Sequence, residues 1–292
     1  MAVLERGAIA YGVELTAPSN GREPSSNEQR REFDTMGIAD GKRALVVGLA
    51  NDKSLAWPIV QNLKAQGAEI ALTYQGEVLE RRVRPLAEQV GAAVLGELDV
   101  TNDGQIESTF AKLRELWGGL DMLVHAIAFA EREDLRDRFL TVSRANFARS
   151  LEISAYSLVA LARAAEPLME ARGGGAIVTL SYLGAVRAVP NYNVMGVAKA
   201  ALEACVRYLA LDLGGKKIRV NAISAAPART LSSAAIKGFH EMAHEVERRS
   251  PLGRAMAIDE VGKMAAVLLS DMSSGVTGQT IYVDVGFNIM GI

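Results

Sequence analysis

The sequence predicts an α/β protein with a single Rossmann-like, doubly wound domain, in which helices flank a seven-stranded parallel sheet. From Lys42 onward, short apolar runs alternate with longer segments of helical periodicity, which is the pattern of successive β-α-β units. The runs are continuously apolar, as in Ala44-Leu-Val-Val-Gly48, and this is expected of parallel strands buried on both faces. Right-handed crossovers then make the doubly wound sheet the natural topology.

Seven strands and their intervening helices can be assigned in order along the chain. The predicted strands cover residues 44–48, 69–74, 93–99, 121–126, 176–180, 219–224 and 280–284. Helices are predicted over 54–66, 78–90, 103–117 and 144–171, from 192 onward, in the 230s to 240s, and over 258–270. Residues 1–38 have little periodicity and are rich in polar residues and proline, so we expect an N-terminal extension followed by one domain over residues 39–292.

Composition excludes several classes of function. A formal charge of −2 and a pI of about 6.0 do not indicate a nucleic-acid or anionic-membrane surface. Cys205 is the single cysteine, which excludes an internal disulfide and a cysteine-based metal site and fits a reducing cytosol. No apolar run approaches the roughly 20 residues of a membrane span. We therefore expect a cytoplasmic protein with no nucleic-acid partner and no integral membrane segment.

The segment from Leu180 to Lys199 has the clearest chemical pattern. Tyr182 directly follows a predicted buried strand, at the end of the sheet where α/β proteins bind ligands. Tyr192 stands near the predicted start of the next helix, with Asn191 as its N-cap, so Lys199 falls about two turns later on the same face. A phenol beside an ammonium that favours its ionised form is a general-acid arrangement. One tyrosine and one lysine alone are more often ordinary strand and helix residues.

The loop after the first predicted strand is a candidate phosphate site. It runs from Gly48 to Ser54 and lacks the common Gly-x-Gly-x-x-Gly fingerprint. Gly48 can make the tight turn, and Ala50 is small enough for close approach of a ligand. The Ser54 hydroxyl and the first amides of the following helix could then meet a pyrophosphate. Taken alone, the loop fits a plain strand-to-helix turn equally well.

Two polar residues at the next strand ends point to the adenosine half of a dinucleotide. Gln75 stands where NAD proteins often carry an acidic residue for the ribose hydroxyl. Its amide can bond a hydroxyl but brings no charge for a 2′-phosphate, so NADH is favoured, although Arg81 and Arg82 keep NADPH open. Asp99 could accept from an adenine amino group, and its alternative is an ordinary turn aspartate.

Together these residues resemble the enoyl-acyl-carrier-protein reductases of fatty acid synthesis, a divergent branch of the short-chain dehydrogenase superfamily. The specific feature is the seven-residue step from Tyr192 to Lys199, because ordinary superfamily members have the lysine four residues after the tyrosine, where this chain has Gly196. The resemblance covers about residues 37–287. The matching segments are Gly48 to Ser54, Tyr74-Gln75, Asp99-Val100, His125 to Ala130, Leu180-Ser-Tyr-Leu-Gly-Ala, Val189-Pro-Asn-Tyr-Asn-Val-Met-Gly, Arg219-Val-Asn-Ala-Ile-Ser-Ala, Pro227 and Arg229-Thr-Leu.

The resemblance implies NADH-dependent reduction of the trans-2 double bond of enoyl thioesters on acyl carrier protein. Tyr192 would stabilise the enolate oxygen formed when hydride reaches the β-carbon, and Tyr182 is the second candidate proton donor. Lys199 would hold the nicotinamide ribose. The other cofactor-binding residues implied are Gly48, Ser54, Leu55, Gln75, Asp99, Val100, Ile127, Ala228, Arg229, Thr230, Leu231 and Ser232.

The resemblance also implies how substrate and partner copies are bound. Ala130 would touch the substrate, and helices at about 228–250 would cover it. The predicted helices holding Tyr156 to Ala165 and Ala198 to Leu213 are more apolar than one sheet face requires. The homotetramer usual in the family would bury them, so we expect a homotetramer.

The chain departs from the family pattern at a few positions. Pro58 stands where the first helix usually has glycine, and proline is tolerated only in a first turn. Ala226 and Ala228 replace a glycine and a larger aliphatic residue beside the nicotinamide, and Val285 replaces a glycine near the last strand. These departures motivate an alternative function, a non-catalytic nucleotide-binding sensor with the same fold.

A second alternative is a zinc hydrolase. His240-Glu241-Met-Ala-His244 has the His-Glu-x-x-His pattern of zinc metalloproteases. His125 is the only other histidine, so the longer motif with a downstream third histidine is impossible, although Glu260 could complete a site. The resemblance places this segment among the substrate-covering helices, so exposed helix residues are the better account and no metal is predicted.

Overall fold

The computed structural model describes residues 37–228 and 238–291, without the side chains of residues 239 and 240. In this part of the chain the strands are β1 (Arg43–Val47), β2 (Glu69–Tyr74), β3 (Ala93–Glu97), β4 (Met122–His125), β5 (Gly175–Ser181), β6 (Ile218–Ala225) and β7 (Thr280–Val283). They form one parallel sheet in the order β3-β2-β1-β4-β5-β6-β7. The predicted fold class is confirmed. The order reverses between β1 and β4, the switch point where such sheets bind ligands.

Helices cover both faces of the sheet. The helices of the described residues are α1 (Ala56–Ala65), α2 (Gly76–Val90), α3 (Asp103–Trp117), α4 (Arg144–Leu151), α5 (Ser157–Glu170), α6 (Asn193–Gly214), α7 (Phe239–Arg249) and α8 (Ile258–Leu269). In two of them the N-cap side chain accepts from the first turn: Asn102 from the amide of Gln105 at 3.1 Å, and Ser143 from the amide of Asn146 at 3.0 Å. Such caps satisfy backbone donors that the first turn leaves unpaired.

The core consists of two apolar layers separated by the sheet. Along β1, Ala44 and Val46 pack on the side of α1, α2 and α8, while Leu45 and Val47 pack on the side of α3, α5 and α6. Successive side chains of a strand point to opposite faces, so a strand buried on both sides must be apolar at every position. This explains the unbroken apolar runs of the sequence.

One predicted helix differs from the structure. The single helix expected over 144–171 is interrupted by a π-helical turn, Glu152–Tyr156, between α4 and α5. Within this turn the Ser154 hydroxyl accepts from the amide of Phe129 at 2.9 Å and donates to its carbonyl at 3.1 Å. These bonds satisfy backbone groups of a loop, and a wider turn of this kind is common at functional sites.

The predicted N-cap of the following helix is wrong. Helix α6 begins at Asn193, Tyr192 occupies its N-cap position, and Asn191 has a left-handed φ of 63°. The Asn193 side chain instead donates to the carbonyl oxygens of Asp134 and Asp137, each at 2.9 Å. The helix entry is therefore bonded to a distant loop, which local capping rules do not anticipate.

Two of the unusual residues have clear structural settings. Pro58 is the third residue of α1, in the first turn, where its missing N–H costs no helical hydrogen bond. Val285 is buried and has a φ of 55°, a conformation in which a β-branched side chain is strained. The glycine expected at this position would adopt it without that strain.

Some predictions concern residues outside the described part. These are the extension predicted over 1–38, of which the structure describes only residues 37 and 38, and the helices of the 230s before residue 238. Among the described helices, none combines the length and the apolar character needed to cross a membrane.

Candidate active site

A cavity of about 490 Å³ opens at the carboxyl edge of the sheet, beside the switch point. Every predicted cofactor, catalytic or substrate residue that the structure describes lines it: Gly48, Ser54, Leu55, Gln75, Asp99, Val100, Ile127, Ala130, Tyr182, Tyr192, Lys199 and Ala228. The remaining predicted cofactor residues, Arg229, Thr230, Leu231 and Ser232, lie outside the described residues. One cavity therefore unites residues from seven separate segments of the chain.

The two tyrosines lie against each other. Their ring centroids are 4.7 Å apart and the ring planes meet at 68°, an edge-to-face contact. The Tyr182 hydroxyl donates to the sulfur of Met242 on α7 at 3.2 Å. Burial raises the pKa of Tyr182 to about 12, and burial together with the neighbouring Tyr182 raises the pKa of Tyr192 still further. Both phenols are therefore neutral donors at physiological pH.

This geometry corrects one part of the sequence-based expectation. The lysine was expected to favour the ionised form of a tyrosine, which would lower its pKa. Burial dominates instead, because Tyr192 is removed from the water that would solvate a phenolate. Tyr192 is thus suited to donate a hydrogen bond to an oxygen that develops negative charge.

Lys199 is a buried ammonium at the floor of this site. Its Nζ donates to the carbonyl oxygen of Leu180 at 2.7 Å, and only 5% of the residue is exposed. Burial lowers its pKa to about 8, while the charge of Glu203 acts in the opposite direction. A lysine held this way is charged at neutral pH and close to losing its proton just above it.

In the loop after β1 the backbone packs closely against the backbone that follows β4. Gly48 has a φ of 101°, and a Cβ at this position would clash with the backbone carbonyl of Ala126. The Ser54 hydroxyl accepts from the amides of Ala50 and Asn51 at 3.2 and 3.1 Å and donates to the Asn51 side chain. Ser54 therefore shapes the loop while also lining the cavity.

The N-terminus of α1 faces the same end of the cavity. Leu55 occupies the N-cap position and makes no side-chain cap, so the first-turn amides have no capping partner on that residue. Leu55 and Ala56 both line the cavity. Helix N-termini attract anions through the helix dipole and their free amides. Here the Trp57 amide already donates to the Ser54 carbonyl and Pro58 has no N–H, so the dipole and the backbone of Leu55 and Ala56 are what this end offers a pyrophosphate.

Gln75 and Asp99 lie together at the ends of β2 and β3. The Asp99 carboxylate accepts from the amide and hydroxyl of Thr101 at 2.9 and 2.8 Å. These bonds, with a further one from Gln75, hold the pKa of Asp99 below its usual value. Asp99 is thus a turn aspartate that also faces the cavity.

Arg81, one of the two arginines that could favour NADPH, forms an ion pair with Glu77 on its own helix.

The other end of the cavity is apolar. Leu135 and Met195 form a small cluster with Tyr192, and Ala130 and Tyr182 pack against it. Met242, which the Tyr182 hydroxyl contacts, also lines this end, and Ile153 lines the same cavity. No sequence signal marks Leu135, Met195, Met242 or Ile153 as site residues, because an apolar residue in a loop or helix has the same pattern as ordinary core.

His125 is fully buried at the end of β4. Its Nδ1 lies 2.8 Å from the Thr179 hydroxyl and its Nε2 lies 2.8 Å from the Ser157 hydroxyl. Burial, reinforced by the charge of Lys199, lowers its pKa to about 3. This histidine is neutral and joins β4 to β5 and to α5.

The His-Glu-x-x-His segment falls on α7, although the side chain of residue 240 is not among those described. His244 is exposed and its Nδ1 lies 3.8 Å from Glu247. Glu260, considered as a further ligand, accepts from Arg254 and from the amide of Ala257. Within residues 37–228 and 238–291, no group of three or more His, Cys, Asp and Glu residues is arranged to hold a metal ion.

Comparison with known proteins agrees with this geometry. The family model described as enoyl-(acyl carrier protein) reductase matches residues 48–288. A relative from Nostoc sp., named enoyl-[acyl-carrier-protein] reductase [NADH] FabI, is 54% identical over 255 residues, which are 86% of this chain and 98% of the relative. A relative from Rickettsia bellii with the same name is 52% identical over 257 residues, 88% of this chain and 97% of that one.

Solved structures give the same result. The enoyl-(acyl-carrier-protein) reductase of Anaplasma phagocytophilum in complex with NAD is 49% identical, with a TM-score of 0.84 over 88% of this chain and 98% of that one. The Bacillus cereus enoyl-acyl carrier protein reductase, solved with NADP+ and an indole naphthyridinone, is 47% identical, with a TM-score of 0.85 over 88% of this chain and all of that one. This chain belongs to the enoyl-[acyl-carrier-protein] reductase family of the short-chain dehydrogenase superfamily.

Proposed function

We propose that this chain reduces the trans-2 double bond of enoyl thioesters in the cavity at the carboxyl edge of its sheet, with Tyr192, Tyr182 and Lys199 as the groups that act on substrate and cofactor. Family membership makes the chain an enoyl-[acyl-carrier-protein] reductase that uses NADH in fatty acid synthesis. The observation that supports the residue assignment is that both tyrosines and the lysine line the same cavity as the Gly48 loop.

The described residues fit the nucleotide. The N-terminus of α1 would face the pyrophosphate through the helix dipole and the backbone of Leu55 and Ala56, which both line the cavity. Gln75 would face the adenosine ribose, and Asp99 and Val100 would lie beside the adenine, which is supported by all three lining the cavity. When bound, NADH supplies the hydride for the β-carbon of the substrate.

Tyr192 stabilises the negative charge that develops on the thioester oxygen. Its hydroxyl stays protonated because burial raises its pKa, so it can donate a hydrogen bond to the enolate oxygen. A preorganised donor of this kind in a water-poor site typically contributes about 3–4 kcal/mol to catalysis. Tyr182, in ring contact with Tyr192, is the second candidate donor of the proton that completes the reduction.

Lys199 would bind the nicotinamide ribose and so orient the cofactor. As an ammonium donating to Leu180, it has two further N–H groups, which we assign to the hydroxyls of the nicotinamide ribose. Its charge at neutral pH also favours negative charge nearby in the transition state. Deprotonation above pH 8 therefore weakens both effects.

The acyl thioester occupies the apolar end of the cavity. Ala130, Leu135 and Met195 form its wall, and α7 contributes Met242, which holds the Tyr182 hydroxyl. Helix α7 would cover the bound substrate, which reaches the enzyme on acyl carrier protein; the rest of the predicted covering segment, residues 229–237, lies outside the described residues. Substrate entry then requires the Tyr182–Met242 contact to break.

Nucleotide preference depends on the neighbourhood of Gln75. Its neutral amide offers no charge to a 2′-phosphate, and Arg81 is already paired with Glu77. We therefore propose NADH in preference to NADPH. The Bacillus cereus relative was solved with NADP+, so the ratio of the two activities must be measured for this chain.

We also propose that the enzyme is a cytoplasmic homotetramer. Tyr208 and Leu211 on α6 are 71% and 75% exposed, and Tyr156 beside α5 is 46% exposed. Large apolar side chains on neighbouring helices are typical of a surface that a second copy covers. Sedimentation velocity of the purified full chain measures this directly, and a stable monomer would contradict it.

The direct test is oxidation of NADH followed by absorbance, with a short trans-2-enoyl thioester as substrate and NADPH in a parallel series. Enoyl-dependent loss of NADH, faster than that of NADPH, is expected. If NADH binds without turnover of either short-chain or carrier-bound substrates, the sensor function replaces this proposal.

A further inference from the structure

Two adjacent residues at the end of β5 are bonded to two residues one turn apart on α6. The carbonyl oxygen of Leu180 accepts from Lys199 Nζ at 2.7 Å. The hydroxyl of Ser181 donates to the Glu203 carboxylate at 2.5 Å. Tyr182 follows directly, so these two bonds fix the backbone from which one candidate proton donor extends.

Glu203 is unusual for a glutamate. It is 7% exposed, whereas glutamates are almost never this buried without a specific partner. It does not line the cavity, while Ser181 and Lys199 do. This carboxylate lies directly behind two cavity residues. Burial penalises the charged form of a carboxylate, so the charge is costly unless it is paired or hydrogen-bonded.

The charged and titratable groups around this pair come from three elements. On α6, Lys199 and Arg207 flank Glu203, each one helical turn away, and both favour its ionised form. On β7, Tyr282 has its pKa raised by burial and by the charge of Glu203. On β4, neutral His125 faces Lys199. Glu203 is therefore the carboxylate whose negative charge acts on Lys199 from the next turn of the same helix.

We propose that Glu203 is the positioning residue of this site: its carboxylate fixes Ser181 at the strand end and provides the negative charge that keeps Lys199 an ammonium toward the cavity. The proposal rests on the function proposed above for Lys199. Nothing in the sequence pattern of the cofactor loop or the tyrosines points to Glu203, which the topology alone brings to Ser181.

The electrostatics of the pair give the expected consequence. Burial lowers the pKa of Lys199 to about 8, and the charge of Glu203 opposes that fall. Burial raises the pKa of Glu203, while the Ser181 hydrogen bond lowers it. Removing the Glu203 charge leaves burial unopposed, so Lys199 should lose its proton at a lower pH.

The test measures the dissociation constant of NADH by fluorescence from pH 6 to pH 10. Wild type should lose affinity with a midpoint near the pKa of Lys199, and Glu203→Gln should move that midpoint down by about one pH unit. Glu203→Asp, which keeps the charge, should stay near wild type. Glu88→Gln, an exposed glutamate on α2, is the matched control and should match wild type. A wild-type midpoint in Glu203→Gln would overturn the proposal.

Ser181→Ala tests the positioning half separately. It leaves the Glu203 carboxyl in place and removes its bond to the strand end, so kcat should fall about tenfold or more while the NADH midpoint shifts less than in Glu203→Gln. If Glu203→Gln does not fold, Ser181→Ala decides, and an unchanged kcat would then overturn the proposal. Lys199→Met distinguishes failure of the function proposed for Lys199 from failure of the Glu203 proposal. If Lys199→Met leaves NADH affinity unchanged at every pH, the assignment of Lys199 to the cofactor is wrong, whatever the Glu203 variants show.

Discussion

The edge of one tyrosine ring meets the face of the other in the Tyr182–Tyr192 pair, with centroids 4.7 Å apart. The first ring follows β5 and the second precedes α6, so the contact joins the strand end to the helix entry. Both hydroxyls stay protonated because burial raises both pKa values. The two residues therefore act as a unit, and substitutions in them should be coupled.

Replacing the hydroxyls one at a time should rank the two donors. Tyr192→Phe should lower kcat about 10²–10³-fold, because it removes the donor to the developing oxyanion. Tyr182→Phe should lower kcat less, since a second donor or water can deliver the proton. The double variant should be far less active than wild type but more active than the product of the two effects predicts. Steady-state assays of the three variants beside wild type check this; strictly multiplicative effects would contradict the coupling.

The buried charge of Lys199 should lower the free energy of unfolding of the protein at neutral pH. Its pKa is about 8 in the folded chain, against an ordinary value of 10.5. Below pH 8 both folded and unfolded chains hold the proton, so the cost of the buried charge is fully present. Between pH 8 and pH 10.5 only the unfolded chain holds it, so stability rises with pH until the cost is gone.

Lys199→Met should therefore raise the free energy of unfolding at pH 7 by up to about 3 kcal/mol, and the gain should vanish near pH 10.5. Urea unfolding at pH 7, 9 and 10.5 measures it. The control is Lys216→Met, which removes a half-exposed lysine paired with Glu166 and Glu170 and should cost a little stability instead. A loss of stability in Lys199→Met at pH 7 would contradict the prediction.

Much of this arrangement was predictable from sequence, for physical reasons. Strands buried on both faces must be apolar throughout, so the run from Ala44 to Gly48 identified β1 directly. The spacing from Tyr192 to Lys199 is local, and a helix converts it into a shared face. These features depend on neighbours along the chain.

Other features depend on contacts between distant segments and were not predictable. The π-helical turn at Glu152–Tyr156 is held by Ser154 bonding to Phe129, 25 residues away. Asn193 bonds to carbonyls of a loop more than 50 residues before it, so the rule that placed an N-cap at Asn191 was wrong. Met242 joins the site only because α7 packs over Tyr182.

Gly48 should tolerate no side chain. A Cβ would meet the carbonyl of Ala126 and would also be strained at a φ of 101°. Gly48→Ala should lower stability by about 3 kcal/mol or more and weaken NADH binding. Gly41→Ala is the matched control, because Gly41 also has a positive φ, 65°, but has open space around its Cβ position. It should cost only about 1–2 kcal/mol. Equal losses in the two variants would show that the close approach is unimportant.

At Val285, replacement by glycine should give a more stable protein than replacement by alanine, which is the reverse of the usual order. Val285→Ala and Val285→Gly lose the same packing apart from one methyl group, but only glycine is free of strain at a φ of 55°. Val285→Gly should therefore be more stable than Val285→Ala by about 1 kcal/mol. At Glu88, inside α2, the same pair should rank alanine above glycine by about 1 kcal/mol. Thermal unfolding of all four variants decides, and alanine above glycine at both sites would contradict the strain at Val285.

Tyr192 and Lys199 are the residues proposed to carry out enoyl reduction in this cavity. The most direct measurement is enoyl-dependent NADH oxidation by the Tyr192→Phe, Lys199→Ala double variant beside wild type, with folding of both checked by circular dichroism. At least a 10³-fold loss of kcat/KM is expected in a folded protein. Turnover within a few-fold of wild type would contradict it and place the chemistry on other residues.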